Sequence, residues 1–257
     1  MIGIFDSGLG GLTAYRELHS LLPNEHFVYF GDTGRVPYGS RSREILQRYT
    51  RQDINFLISK GADAILAACG TVSSVVLDEI KREYNVPIVG VVDASVSEAL
   101  AATQNGIVGI IGTGATVSSG AFEKKLLTGG AKNVVSVACP LFVPLVENGY
   151  IARDCEVTKL VAKDYLKKIK EAGADTLILG CTHFPIIADI IGDELPDVTL
   201  INSGAAAAKA IAGSIKQCGG TASEFYVSDS PVNFDAVARI FLGGGTVSAK
   251  KIDIDKY

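Results

Sequence analysis

Apolar residues along this chain recur in two rhythms. Short apolar runs stand at 2–5, 27–30, 64–68, 88–92, 107–111, 134–138, 177–179, 199–201 and 225–227. They are nearly continuous rather than alternating, which predicts strands buried on both faces. Between them, apolar positions recur every three or four residues at 43–60, 73–84, 117–127, 157–172 and 205–218. That spacing predicts helices. Strands alternating with helices predict an α/β fold of mostly parallel sheets flanked by helices.

An echo within the chain divides this pattern into two similar lobes. Ala64-Ile65-Leu66-Ala67-Ala68-Cys69-Gly70-Thr71 resembles Thr176-Leu177-Ile178-Leu179-Gly180-Cys181-Thr182-His183. Each is an apolar strand with a cysteine at its end, a threonine close by and a helix expected to follow. A boundary near Ala94 is expected, giving a first lobe over 1–94, a second over 95–205 and a final segment over 206–257.

Composition narrows the class. With 47% hydrophobic and 20% charged residues over 257 positions, the chain has enough apolar side chains for a sizeable core, and disorder is excluded. A net charge of −4 supplies no basic footprint for nucleic acid. The first residues, Met1 to Asp6, lack the positive region of a secretory leader, and no apolar run approaches the ~20 residues of a membrane span. A cytoplasmic protein with no membrane partner is expected. Cysteine adds a further limit. The five cysteines are an odd number with no Cys-x-x-Cys spacing, and only three histidines accompany them. Free thiols are expected, with no metal site.

In parallel α/β sheets, ligands collect beyond the carboxyl ends of strands. The first strand ends in Asp6-Ser7-Gly8-Leu9-Gly10-Gly11, the third in Cys69-Gly70-Thr71, the fifth in Gly112-Thr113-Gly114-Ala115-Thr116 and the seventh in Cys181-Thr182-His183. The glycine-rich turn lacks the Gly-x-Gly-x-x-Gly dinucleotide pattern, and reads either as a tight strand-to-helix turn or as an anion cradle. A lone cysteine at a strand end is usually a buried small hydrophobe. Two in matching settings are different: a helix start favours the thiolate, and a pair on facing lobes can serve opposite faces of one carbon. Inverting a carbon with an acidic proton needs a base on one face and an acid on the other. Asp6 and His183 are the neighbouring groups that could set the protonation of the thiols. Cys139, Cys155 and Cys218 lack this setting and are assigned to structure. By their own local sequence, Tyr38 reads as part of a proline-started turn and Glu147 as a solvated carboxylate.

Taken together, these motifs resemble those of the glutamate racemases. They are Asp6-Ser7-Gly8-x-Gly10-Gly11, Val36-Pro37-Tyr38-Gly39, Cys69-x-Thr71, Gly112-Thr113-x-x-Thr116, Pro144-Leu145-Val146-Glu147 and Cys181-Thr182-His183-Phe184-Pro185. The resemblance implies a cofactor-independent racemase that supplies D-glutamate for bacterial peptidoglycan. It implies an active site in the cleft between the two lobes, with the C-terminal segment packed on the first. Cys69 would act on D-glutamate, assisted by Asp6, and Cys181 on L-glutamate, assisted by His183. Ser7, Pro37, Tyr38, Gly39, Gly70, Thr71, Thr113, Thr116 and Thr182 would hold the substrate, and Glu147 would lie near its amine. A homodimer is compatible with all of this. The departure is Gly70, where the family carries asparagine. Loss of that amide would weaken substrate binding by about 1–3 kcal/mol if its partner stayed unpaired.

Three other readings compete. An aspartate racemase is the nearest, although those enzymes usually carry glutamate where His183 stands. A two-lobed protein could also bind an acidic amino acid without turning it over. A Cys181–His183 hydrolase leaves Cys69 unexplained.

Overall fold

The computed structural model describes every residue except 216–218, 221, 231–233 and 245–246. The first lobe opens with β1 (Ile2–Asp6), α1 (Leu12–Leu21), β2 (Phe27–Gly31), α2 (Arg43–Ser59) and β3 (Ala64–Ala67). It continues through α3 (Gly70–Val75), α4 (Leu77–Ile80) and β4 (Ile88–Gly90), after which α5 (Val91–Ala102) leads away. The second lobe begins with β5 (Ile107–Gly112), α6 (Gly114–Ser118), α7 (Ala121–Thr128), β6 (Asn133–Ala138) and α8 (Phe142–Glu147). It is completed by α9 (Glu156–Glu171), β7 (Thr176–Leu179), α10 (Ala188–Glu194) and β8 (Thr199–Asn202). The last elements are α11 (Ser203–Ser214), β9 (Ser223–Val227), α12 (Phe234–Leu242) and β10 (Ala249–Lys251).

The strands form two sheets, ordered β10-β9-β2-β1-β3-β4 and β6-β5-β7-β8, and every pairing is parallel. Parallel pairing needs helical crossovers, which cover both faces and explain the unbroken burial of β1, β2 and β3. The C-terminal β9 and β10 extend the first sheet beyond β2, with Phe27 opposite Ser223. One apolar core runs through both lobes, taking in Ile4 and Leu12 from the first and Phe142 and Phe184 from the second. Helix α11 reaches α1 there because its first turns are small residues: a Cβ built on Gly204 would already sit 3.2 Å from the Ala14 side chain.

Four expected elements differ in detail. The strand expected at 88–92 stops at Gly90, and Val91 and Val92 belong instead to the buried face of α5. The helix expected at 73–84 starts earlier, at Gly70, and breaks at Val76 (φ −131°). Hydroxyl bonds from Ser73 to Ala67 O and from Ser74 to Gly70 O compete with the backbone there. The stretch 117–127 is two helices, parted by Gly120 in the left-handed region at φ +65°. Helix α11 starts at Ser203, capped by the Asn202 side chain; the end expected for it, including Cys218, lies outside the described residues. No described helix is long and apolar enough to cross a membrane.

Candidate active site

The carboxyl ends of β1, β3, β5 and β7 converge on a cavity of about 490 Å³ between the lobes. Asp6, Ser7, Pro37, Tyr38, Gly39, Cys69, Gly70, Thr71, Thr113, Glu147, Cys181, Thr182 and His183 all line it. Of the catalytic and substrate-holding candidates, only Thr116 stands behind the wall. Its hydroxyl lies 3.0 Å from that of Thr113, which in turn lies 3.1 Å from the Thr71 hydroxyl of the other lobe. The three threonines form a hydroxyl chain across the cleft. Thr113 also caps α6, its oxygen accepting from Thr116 N at 3.2 Å.

Cys69 is the N-cap of α3, directly beyond β3, and is almost wholly buried. Burial pushes its thiol up to about 12, and the nearby Asp6 carboxylate adds to the effect. The Val72 N–H and the Ser7 hydroxyl oppose that rise but do not cancel it. The Cys69 sulfur therefore carries its proton at neutral pH. Asp6 is itself buried and raised by desolvation, tempered by the charge of His183 and by backbone N–H groups of Gly8, Gly11 and Ser7. Its Oδ2 accepts from Gly8 N at 3.0 Å, which fixes the glycine-rich turn.

Cys181 follows β7 and faces its own partner. Its sulfur lies 3.8 Å from His183 Nδ1, and His183 Nε2 lies 3.0 Å from Glu147 Oε1. Burial lowers the imidazole pKa, but hydrogen bonds to Cys181 and Glu147 outweigh it and bring His183 up to about 10. His183 is thus a cation at neutral pH, positioned to stabilise negative charge on the adjacent sulfur. Its ring also meets Phe241 of α12 edge-on, with centroids 5.1 Å apart. Glu147, the last residue of α8, is half exposed, and its carboxylate reaches back from solvent to the imidazole.

Glycine sets how closely the lobes approach. A Cβ on Gly10 would lie 2.6 Å from the His183 ring and closer still to Thr182 Oγ1. A Cβ on Gly70 would fall far inside contact distance of the Gly180 carbonyl oxygen. Both glycines let the first lobe touch the loop that carries Cys181. The Thr13 hydroxyl adds a bridge, 2.8 Å from Gly10 O and 3.1 Å from Thr182 O.

Two features of the site go beyond the sequence expectations. Cys139 lines the cavity, although burial pushes its thiol up and its sulfur faces Val137 O at 3.7 Å. Its position directly after β6 was the available signal. The second is a buried group of Asp32, Arg35 and Asp53 around the Tyr38 hydroxyl. Asp32 directly follows β2, so the strand-end rule, if applied there, points to it. Among the described residues no group of three or more His, Cys, Asp or Glu side chains is arranged to hold a metal ion.

Comparison with known proteins agrees with this geometry. Residues 13–211 match the family model described as Asp/Glu/Hydantoin racemase. The chain is 45% identical over 242 residues to a glutamate racemase of Aquifex aeolicus (strain VF5), covering 94% of each. It superposes with a TM-score of 0.91 on the glutamate racemase of Francisella tularensis subsp. tularensis SCHU S4, solved in complex with D-glutamate, at 36% identity over 100% of this chain and 98% of that one. The Aquifex pyrophilus glutamate racemase superposes with a TM-score of 0.83 at 42% identity, covering 96% of this chain and 97% of that one.

Proposed function

The chain belongs to the Asp/Glu/hydantoin racemase family, among its glutamate racemases, and from that premise we propose that it interconverts L- and D-glutamate by proton transfer between two thiols. The observation that carries this reading is the unequal pair of sulfurs on one cavity. Cys69 is buried beside a carboxylate and holds its proton, whereas Cys181 faces a cationic imidazole.

In the L-to-D direction, Cys181 acts as a thiolate paired with the His183 imidazolium. Its electron pair takes the α-proton and leaves a carbanion at the α-carbon. Cys69 then delivers its S–H proton to the opposite face, which gives D-glutamate, a Cys69 thiolate and a Cys181 thiol. The D-to-L direction reverses each transfer, with Asp6 beside Cys69 in the place His183 has beside Cys181. Burial strengthens the attraction between the Cys181 thiolate and the His183 imidazolium by removing water, whereas beside Cys69 it strengthens the repulsion from Asp6 that keeps the proton on that sulfur until it is delivered. Ser7, Thr71, Thr113 and Thr182 offer hydroxyls, and the turn at Pro37, Tyr38 and Gly39 offers backbone groups, for the polar ends of the substrate. Gly70 contributes open backbone rather than an amide side chain, with Thr116 supporting Thr113 from behind. These residues suffice for the proposed transfers without a cofactor.

The same reading places the protein in the cytoplasm, supplying D-glutamate to peptidoglycan synthesis, with lobes over 1–94 and 95–205 and a returning segment over 206–257. Residue 94 falls inside α5, which connects the lobes. Exposed Leu141, Tyr150, Val157 and Leu160 supply apolar area for a homodimer.

The test is to follow the circular dichroism of L-glutamate, and separately of L-aspartate, with catalytic amounts of protein. Loss of signal to the racemate is expected for glutamate and not for aspartate. Binding of L-glutamate without change in its signal would leave a binding protein and overturn the proposal.

A further inference from the structure

Behind the turn that lines the cavity lies a buried polar group that the proposed proton transfers do not use. Tyr38 is buried, and its phenolic oxygen is turned away from the substrate toward two carboxyls. It makes a short contact with Asp32 Oδ2 and lies 3.1 Å from Asp53 Oδ2. Arg35 bridges the same two acids, with Nε 2.6 Å from Asp32 Oδ2 and Nη2 3.2 Å from Asp53 Oδ1. Asp32 and Asp53 are both fully buried.

Counting protons restricts the possibilities. A phenol carries one proton and can donate to one oxygen, and the shorter contact, to Asp32, takes it. The second contact is then a hydrogen bond only if Asp53 Oδ2 carries a proton and donates to the phenolic oxygen. Charge gives the same answer. With both acids ionised, one guanidinium faces two buried carboxylates, and Asp32 Oδ1 already lacks a hydrogen-bond partner. The other groups facing this site are Asp6 on β1, the Tyr49 ring under Arg35 at 3.9 Å, Gln52, and Asp255 with its Oδ1 3.8 Å from Arg35 Nη1. Two further cations stand close by, Arg41 with Nη2 3.5 Å from Arg35 O and Arg48 over the Tyr49 ring at 5.3 Å, and each faces those groups rather than Asp32 or Asp53.

We propose that Asp53 is a positioning residue that keeps a proton and donates it to Tyr38, closing a charge-balanced group with Asp32 and Arg35 that holds the turn at Tyr38–Ser40 against the substrate cavity. Burial, reinforced by the Asp32 charge, holds the Asp53 carboxyl well above the usual carboxylate range, which agrees with the hydrogen-bond count. The kinetic arm rests on the racemase reading; the spectroscopic arm does not.

The test compares Asp53→Asn, Asp53→Ala and Asp32→Asn with the unaltered protein. An Asn amide can donate to Tyr38 and accept from Arg35 as a neutral acid does. Asp53→Asn is therefore expected to keep KM and kcat for L-glutamate within about threefold, while Asp53→Ala and Asp32→Asn raise KM by about tenfold or more with a smaller change in kcat. Raising the pH should ionise Asp53 and raise KM in the unaltered protein, and Asp53→Asn should lack this rise. A KM increase in Asp53→Asn as large as in Asp53→Ala would overturn the proposal. Should the variants not fold, carbon NMR of aspartate-labelled protein decides it. One carboxyl in the neutral state at neutral pH must shift in Tyr38→Phe; if no neutral carboxyl responds, Asp53 is ionised and the proposal fails whether or not the protein racemises glutamate.

Discussion

Glu147 Oε1 lies 3.0 Å from His183 Nε2, on the edge of the ring opposite the Nδ1 that faces Cys181. The imidazole therefore links a half-exposed acid to a buried sulfur. Its raised pKa depends on both neighbours.

Glu147→Gln tests that link. Removing the carboxylate removes one of the two contacts that raise His183, so its pKa falls below about 10. The alkaline limb of kcat/KM for L-glutamate should shift to lower pH, with a smaller shift for D-glutamate. The stability effect has a defined sign. His183 titrates higher folded, about 10, than its ordinary 6.5, so its contribution is complete below pH 6.5 and disappears as pH rises through 10. Urea unfolding should find the variant less stable than the unaltered protein near pH 6.5 and nearly equal to it above pH 10.

Gly70→Ala should widen the cleft. The added Cβ cannot coexist with the Gly180 carbonyl, so the lobes must separate where the two cysteine loops meet. Overpacking of this kind costs about 1–3 kcal/mol. The contact is present in the protein without substrate, so thermal stability should fall by that amount, and kcat/KM should fall on the order of tenfold or more as the cysteine loops are forced apart. Thermal unfolding and steady-state kinetics check the two effects. Unaltered kinetics would mean that the closure does not depend on Gly70.

Phe184→Ala should unfold the support of the Cys181 loop. Phe184 is fully buried and meets Phe142 of α8 edge-on, with centroids 5.2 Å apart, which ties the Cys181–His183 segment to the helix carrying Glu147. Large-to-small changes at such sites cost about 3–5 kcal/mol, measurable by denaturant titration. A loss below about 1 kcal/mol would show that the loop is held by other contacts.

Much of the site was legible because parallel sheets concentrate chemistry at strand ends. Asp6, Cys69, Thr113 and Cys181 were found by reading only those positions, and they line one cavity. Asp32 stands at an equivalent position beyond β2, but its partner Asp53 lies within a helix, where an acid reads as a solvated face. Only tertiary packing buries it. The role of Tyr38 was half legible. Its motif placed it at the cavity, but the direction of its hydroxyl depends on Asp32 and Asp53. Among the elements, the helix break at Val76 escaped because serine-to-carbonyl bonds leave no mark in apolar spacing. The pairing of β9 with β2 joins residues far apart in sequence, and a short apolar run carries no information about which sheet will accept it.

Transfer between two thiols on opposite faces is tested most directly by running L-glutamate in deuterium oxide and examining both enantiomers at early conversion. The D-glutamate formed should carry deuterium at the α-carbon, the recovered L-glutamate should keep its protium, and Cys69→Ser or Cys181→Ser should abolish racemisation. Deuterium entering both enantiomers equally from the first turnovers would indicate a single base and contradict the account, as would racemisation that survives both single substitutions.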